Sequence, residues 1–184
     1  TETEAIDLAV EIARAVTDAH GVMVTERSYH GNSSLVWRLS TDSYPAEDRP
    51  DWLGVIEPPN TYRGPFRSSE LDEAELAGRY ADLVQVEIDR LGGRSHRLAA
   101  LVLDSSWDSN GVLVAPGDYV QRSAASVRAA GALVIADEVQ AGYCRLGTHF
   151  WRHENYDLVP DIVVLGKPMG GGHPVAAVIT TPAI

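Results

Sequence analysis

Apolar residues recur at helical spacing over the first sixteen positions. Ala5, Leu8, Ala9, Ile12, Ala13 and Val16 fall three or four apart, which predicts an amphipathic helix with these side chains on its buried face. Thr1 and Glu4 match a capping box, acidic residues gather at the positive end of the helix dipole, and Gly21 is the expected stop. A different pattern then takes over. Positions 22–25, 98–103, 132–136 and 162–165 are short, nearly continuous apolar runs, as expected of strands buried on both faces. A last strand is predicted over 175–180. Helices are predicted over 33–39, 69–91 and 116–130, with a short one over 151–156; glycines at 92, 93 and 131 end the longer ones. Only 40–69 lacks a period. It carries Pro45, Pro50, Pro58, Pro59 and Pro65 and reads as a long excursion over the surface.

Helices alternating with buried strands imply an α/β fold of three layers, with a mostly parallel sheet between helices. In such sheets ligands bind beyond the carboxyl ends of the strands. Asp104, Asp137 and Lys167 each lie just past such an end, so three strands are expected to aim a charged group at one rim.

Composition narrows the classes. A chain of 184 residues fits one domain. A formal net charge of -11 argues against nucleic acid and anionic membrane as partners. No apolar run is long enough to span a bilayer, and no signal peptide is visible. Cys144 is the only cysteine, which excludes an internal disulfide and points to a reducing, cytoplasmic setting. The chain opens in a helix's first turn and stops just after a strand, so we expect it to be part of a longer protein.

Lys167 is the only lysine; every other residue among the 15 Lys and Arg is arginine. Unlike arginine, lysine can lose its proton and act as an amine nucleophile. An amine, a carboxylate and an aromatic on neighbouring loops suit pyridoxal phosphate. The aldehyde needs a lysine to form a Schiff base, and the pyridine nitrogen needs an acidic partner. The ring needs a flat face, and the phosphate needs backbone N–H groups at a helix N-terminus. Lys167, Asp137, Tyr29 or His30, and the turn at 1–3 can fill these roles in order. Burial of Lys167 is part of that expectation. His30 and His173 lack further ligands at metal-binding spacing, so no metal is expected. The glycines at 170–172 do not open a helix in the dinucleotide-binding pattern. Cys144 has no evident base to activate it.

Two motifs resemble a known family. Residues 135–147 (Ile-Ala-Asp-Glu-Val-Gln-Ala-Gly-Tyr-Cys-Arg-Leu-Gly) and 160–174 (Pro-Asp-Ile-Val-Val-Leu-Gly-Lys-Pro-Met-Gly-Gly-Gly-His-Pro) are similar to the signature of class III pyridoxal-phosphate aminotransferases of fold type I. The likeness extends through 3–8, 29–31, 110–111 and 117–119, and is strongest to the branch holding ethanolamine-phosphate phospho-lyases. It implies a partial large domain over 1–184, with the small domain and an N-terminal segment absent. Two subunits would share each site, as a homodimer. Lys167 would carry the cofactor and Asp137 would pair with the pyridine nitrogen. Val139 and Tyr29 would pack on the two ring faces, and Gln140 would approach the phenolic oxygen. Glu2 and Thr3 would offer backbone N–H groups to the phosphate, and Asp104 would lie near the ring. The implied reaction is transamination of a primary amine or amino acid. Phosphate elimination from a phosphorylated amino alcohol, or a module without catalysis, are the alternatives. Three positions depart from the family pattern: Glu2 replaces a glycine, Ile6 an asparagine, and Asp104 a glutamate.

Overall fold

The computed structural model describes residues 1–184. Its elements in chain order are α1 (Glu2–Thr17), β1 (Gly21–Thr25), α2 (Val36–Leu39), β2 (Leu53–Ile56), α3 (Glu73–Gly93), β3 (Leu98–Asp104), α4 (Tyr119–Ala129), β4 (Leu133–Asp137), β5 (Ile162–Leu165) and β6 (Ala177–Thr180). The six strands form one sheet in the order β2-β1-β3-β4-β5-β6. All pairs are parallel except β5 with β6.

Alternation along the strands divides the core in two. Met23, Leu101, Leu103 and Val134 face α3 and α4. Val22, Val24, Ala100, Val102, Ile135, Ile162 and Val164 face α1 and α2. This is the expected three-layer arrangement, and it explains why the strands are apolar on both sides.

α1 lies on the sheet by a face rotated from the expected one. Ala5, Ile6, Ala9, Val10 and Ala13 are buried, whereas Leu8 and Val16 are exposed. Three alanines let the helix approach the sheet closely, and Ile6 and Val10 fill the remaining gap. α1 ends at Thr17, with Asp18 in the left-handed conformation. Gly21 is therefore not its stop. It begins β1, where a Cβ would fall 2.9 Å from the Arg97 carbonyl oxygen.

The stretch 40–69 is not wholly irregular, because β2 forms the sheet edge within it. α3 covers that edge. Glu87 Oε1 accepts from the Val55 N–H at 2.8 Å, and Arg90 donates to the Leu53 carbonyl at 2.8 Å. Side chains thus take the place of a further strand. α3 starts at Glu73, after the Asp72 cap accepts from the Glu75 N–H at 2.9 Å, and it runs through both glycines at 92 and 93. α4 begins at Tyr119, after Pro116 and Gly117 rather than at them. Residues Arg152–Tyr156 form a 3₁₀ turn, and β5 ends at Leu165, two residues before Lys167. β6 spans 177–180, shorter than its apolar run. No helix is long and apolar enough to cross a membrane.

Candidate active site

The parallel register carries Asp104 and Asp137 to the same level, as the last residues of β3 and β4. β5 then delivers Lys167 at the head of a 3₁₀ turn, Lys167–Gly170. These three ends surround an open recess. Glu2, Tyr29, His30, Asp104, Asp108, Ser109, Asp137, Val139, Gln140 and Lys167 line it. Every candidate residue named from the sequence is on that wall except Thr3.

Asp137 is buried and held from two sides. Its Oδ2 lies 2.7 Å from His30 Nδ1, and its Oδ1 accepts from the Val139 N–H at 3.1 Å. With a carboxylate as acceptor, the His30 proton belongs on Nδ1. His30 Nε2 is buried without a partner. His30 is thus a carboxylate partner, a role not read from the sequence, rather than the ring face expected of it or of Tyr29. Tyr29 also lines the recess and is 47% exposed. The turn holding both is fixed from below: the His30 and Gly31 N–H groups donate to Ser40 Oγ at 3.0 and 3.2 Å.

Thr3 works behind the recess. A Cβ on Gly31, whose φ is +138°, would fall 2.5 Å from Thr3 Oγ1. Only glycine lets the turn at 29–31 seat against α1 there. The first backbone bond closing α1 is from Ala5 N–H to the Thr1 carbonyl. The N–H groups of Glu2 and Thr3 precede it and remain available at the positive end of the helix.

Asp104 organises the loop beyond β3. Its Oδ1 accepts from the Ser106 N–H and hydroxyl at 3.0 and 2.9 Å, and its Oδ2 from the Asp108 N–H at 2.9 Å. Burial pushes its carboxyl well above the ordinary carboxylate range. The Asp108 carboxyl against it and the Asp137 charge push the same way. Asp108 and Ser109 reach the recess through this loop, and nothing in the sequence singled them out. Their only signal was the position of 104–111 after an apolar strand.

Glu138 is fully buried and faces away from the recess wall. Its Oε1 accepts from His153 N–H and lies 2.8 Å from His153 Nδ1, and its Oε2 accepts from the Arg152 N–H at 2.9 Å. It ties the 3₁₀ turn at Arg152–Tyr156 to the end of β4, and so braces Asp137.

Lys167 is not buried: its side chain is 39% exposed, and Nζ lies 4.0 Å from Glu2 Oε1. Its φ of +36° is an uncommon conformation for a residue with a side chain. Val139 is buried just beneath, its methyls 3.5 Å from where a Gly166 Cβ would lie.

The lysine, the oriented carboxylate and the Val139 side chain between them fit the ring and aldehyde of pyridoxal phosphate. The free N–H groups of α1 fit its phosphate, but the Glu2 carboxylate at the same helix end does not.

A family model described as aminotransferase class-III matches residues 1–184. The chain is 36% identical to alanine–glyoxylate aminotransferase 2-like of Drosophila melanogaster, across 99% of this chain and 37% of that protein. It is 38% identical to ethanolamine-phosphate phospho-lyase homolog 1 of Caenorhabditis elegans, across 97% and 40%. A solved phospholyase from Arthrobacter in complex with phosphoethanolamine matches with a TM-score of 0.91 at 34% identity, covering 99% of this chain and 42% of that one. The chain spans less than half the length of these relatives.

Proposed function

The chain belongs to the class-III aminotransferase family, and from that premise we propose that it is the cofactor-binding part of a pyridoxal-phosphate-dependent enzyme acting on a primary amine or amino acid. The observation that carries this reading is the meeting of the only lysine with a buried, doubly held carboxylate on one recess. When bound, pyridoxal phosphate supplies an electrophilic aldehyde and a ring that withdraws electrons from the carbon bearing the amine.

Lys167 Nζ would hold the cofactor's aldehyde and, as a free amine, would move the proton at the substrate carbon. Asp137 would keep a proton on the pyridine nitrogen, and His30 and the Val139 N–H keep its carboxylate from turning. Val139 offers an apolar face to a flat ring, and Tyr29 an aromatic one. Gln140 offers an amide to the phenolic oxygen, and the N–H groups of Glu2 and Thr3 bind the phosphate. Asp104 positions the loop that brings Asp108 and Ser109 to the opening.

We take the whole protein to complete the reaction as a transaminase, passing the amine to a keto acid, and to work as a cytoplasmic homodimer. A second reading is elimination of phosphate from a phosphorylated amino alcohol. The 34% identity with the Arthrobacter phospholyase favours it.

The full-length protein, mixed with pyridoxal phosphate, is expected to show a Schiff-base absorbance band and, after borohydride, an adduct on Lys167. Absence of a saturable band overturns the cofactor reading. Phosphate release from phosphoethanolamine without a keto acid selects the second reaction over the first.

A further inference from the structure

Glu2 stands apart from the rest of the recess. It is the first residue of a sixteen-residue helix, where unpaired N–H groups and the helix dipole favour an anion. Two carboxylates already stand there: Glu4 is turned to the Thr1 hydroxyl at 3.0 Å, and Glu2 is the one that enters the recess. The side chain lines the recess, and Oε1 lies 4.0 Å from Lys167 Nζ. Its root is held in place: a Cβ on Gly166 would fall 2.9 Å from Glu2 Cβ, so the turn entering Lys167 lies flush against it. The other acidic groups on the wall are Asp104, Asp108 and Asp137, facing a single lysine. None of the 14 arginines that accompany Lys167 lines the recess.

A phosphate monoester carries nearly two negative charges at neutral pH. Placed at the α1 N-terminus, it would meet the Glu2 carboxylate and compete with it for Lys167 and for the helix end. An unphosphorylated pyridoxal carries no such charge and would meet neither obstacle. We propose that Glu2 sets the cofactor preference of this recess, acting as a built-in anion that weakens binding of the phosphorylated aldehyde relative to the unphosphorylated one and that must be displaced before a phosphate can seat. This rests on the cofactor reading above and adds a specificity-determining residue to it. Glu2 acts as the resting partner of Lys167 and as a fixed charge at the helix end, and takes no part in proton transfer.

The test is a pair of binding titrations on the full-length protein freed of cofactor, one with pyridoxal phosphate and one with pyridoxal, each followed by tryptophan fluorescence. Glu2→Gln removes the charge and keeps the shape; Glu2→Gly also removes the side chain. Both variants are expected to tighten pyridoxal phosphate by about tenfold or more, and to leave pyridoxal within about twofold. Glu2→Asp keeps the charge and is expected to keep the wild-type ratio of the two affinities, which serves as the control should either neutral variant fold poorly. Raising the ionic strength is expected to narrow the ratio in the wild type and leave it flat in Glu2→Gln. A ratio unchanged by Glu2→Gln, or a loss of pyridoxal phosphate binding in that variant, overturns the proposal. Borohydride trapping separates this from failure of the broader reading. An adduct on Lys167 with an unchanged ratio sinks only the role of Glu2. No adduct with either aldehyde in any variant sinks the cofactor site itself.

Discussion

Asp104 and Asp137 are register partners, the last residues of two adjacent parallel strands, yet they do opposite work. Asp137 turns to His30 and Val139 across the floor of the recess, whereas Asp104 folds back on Ser106 and Asp108. Adjacent carboxylates at one level repel each other, and the chain separates them by giving each its own set of donors.

The raised Asp104 carboxyl ties stability to pH. A carboxyl raised in the folded state binds its proton more tightly there than in the unfolded chain. Its contribution to stability is therefore full below the ordinary carboxylate range and is lost as pH climbs through the raised value of Asp104. Urea unfolding of the wild type should show stability falling across that window. Asp104→Asn should flatten the slope, and an unchanged slope would show that the carboxyl is not raised.

Asp137→Asn keeps the size and one acceptor but removes the charge beside His30. Activity of the full-length enzyme should fall by about a hundredfold or more, with the fold intact by circular dichroism. Asp137→Ala should in addition cost about 1–3 kcal/mol, because the buried His30 Nδ1 and Val139 N–H lose their acceptor.

Lys167→Arg preserves a cation beside Glu2 but removes the nucleophilic amine. Unfolding midpoints should move by less than about 0.5 kcal/mol equivalent, as for other exposed positions. Borohydride-stable adduct should vanish. Because residues 1–184 hold no other lysine, a side-chain adduct mapped within them in this variant would contradict the assignment directly.

Glu138 does not itself line the recess, yet its side chain holds two backbone N–H groups and a histidine. Glu138→Ala should destabilise the fold by about 1–3 kcal/mol, measured by denaturant titration, since it leaves the buried His153 N–H and ring and the partly buried Arg152 N–H without their acceptor. Its loss should also loosen Asp137, seen as weaker cofactor binding even where the protein remains folded.

Much of this was legible along the chain. β3, β4 and β5 announce themselves as apolar runs, and a charge directly after each points to the rim they share. β2 was not legible, because Leu53–Ile56 is four residues long and sits among prolines. It becomes a strand by pairing with β1 and by the cover of Glu87 and Arg90, which are remote in sequence. The buried face of α1 is ambiguous in the sequence for a related reason. Two apolar stripes share Ala5, Ala9 and Ala13, and only the sheet decides between Leu8 with Val16 and Ile6 with Val10. In the site, the residue types were visible but their pairing was not. Nothing local in Tyr-His-Gly at 29–31 says that His30 will meet Asp137.

That contact has a consequence for how the protein comes to exist. His30 and Asp137 are 107 residues apart, with β2, α3, β3 and α4 formed between them. Contacts of such separation are made late, after the intervening chain has condensed. The recess is therefore an inspection point for the fold. A chain with β3 or β4 out of order would present Lys167 but no seated carboxylate opposite, and retention of the cofactor would report that assembly had finished.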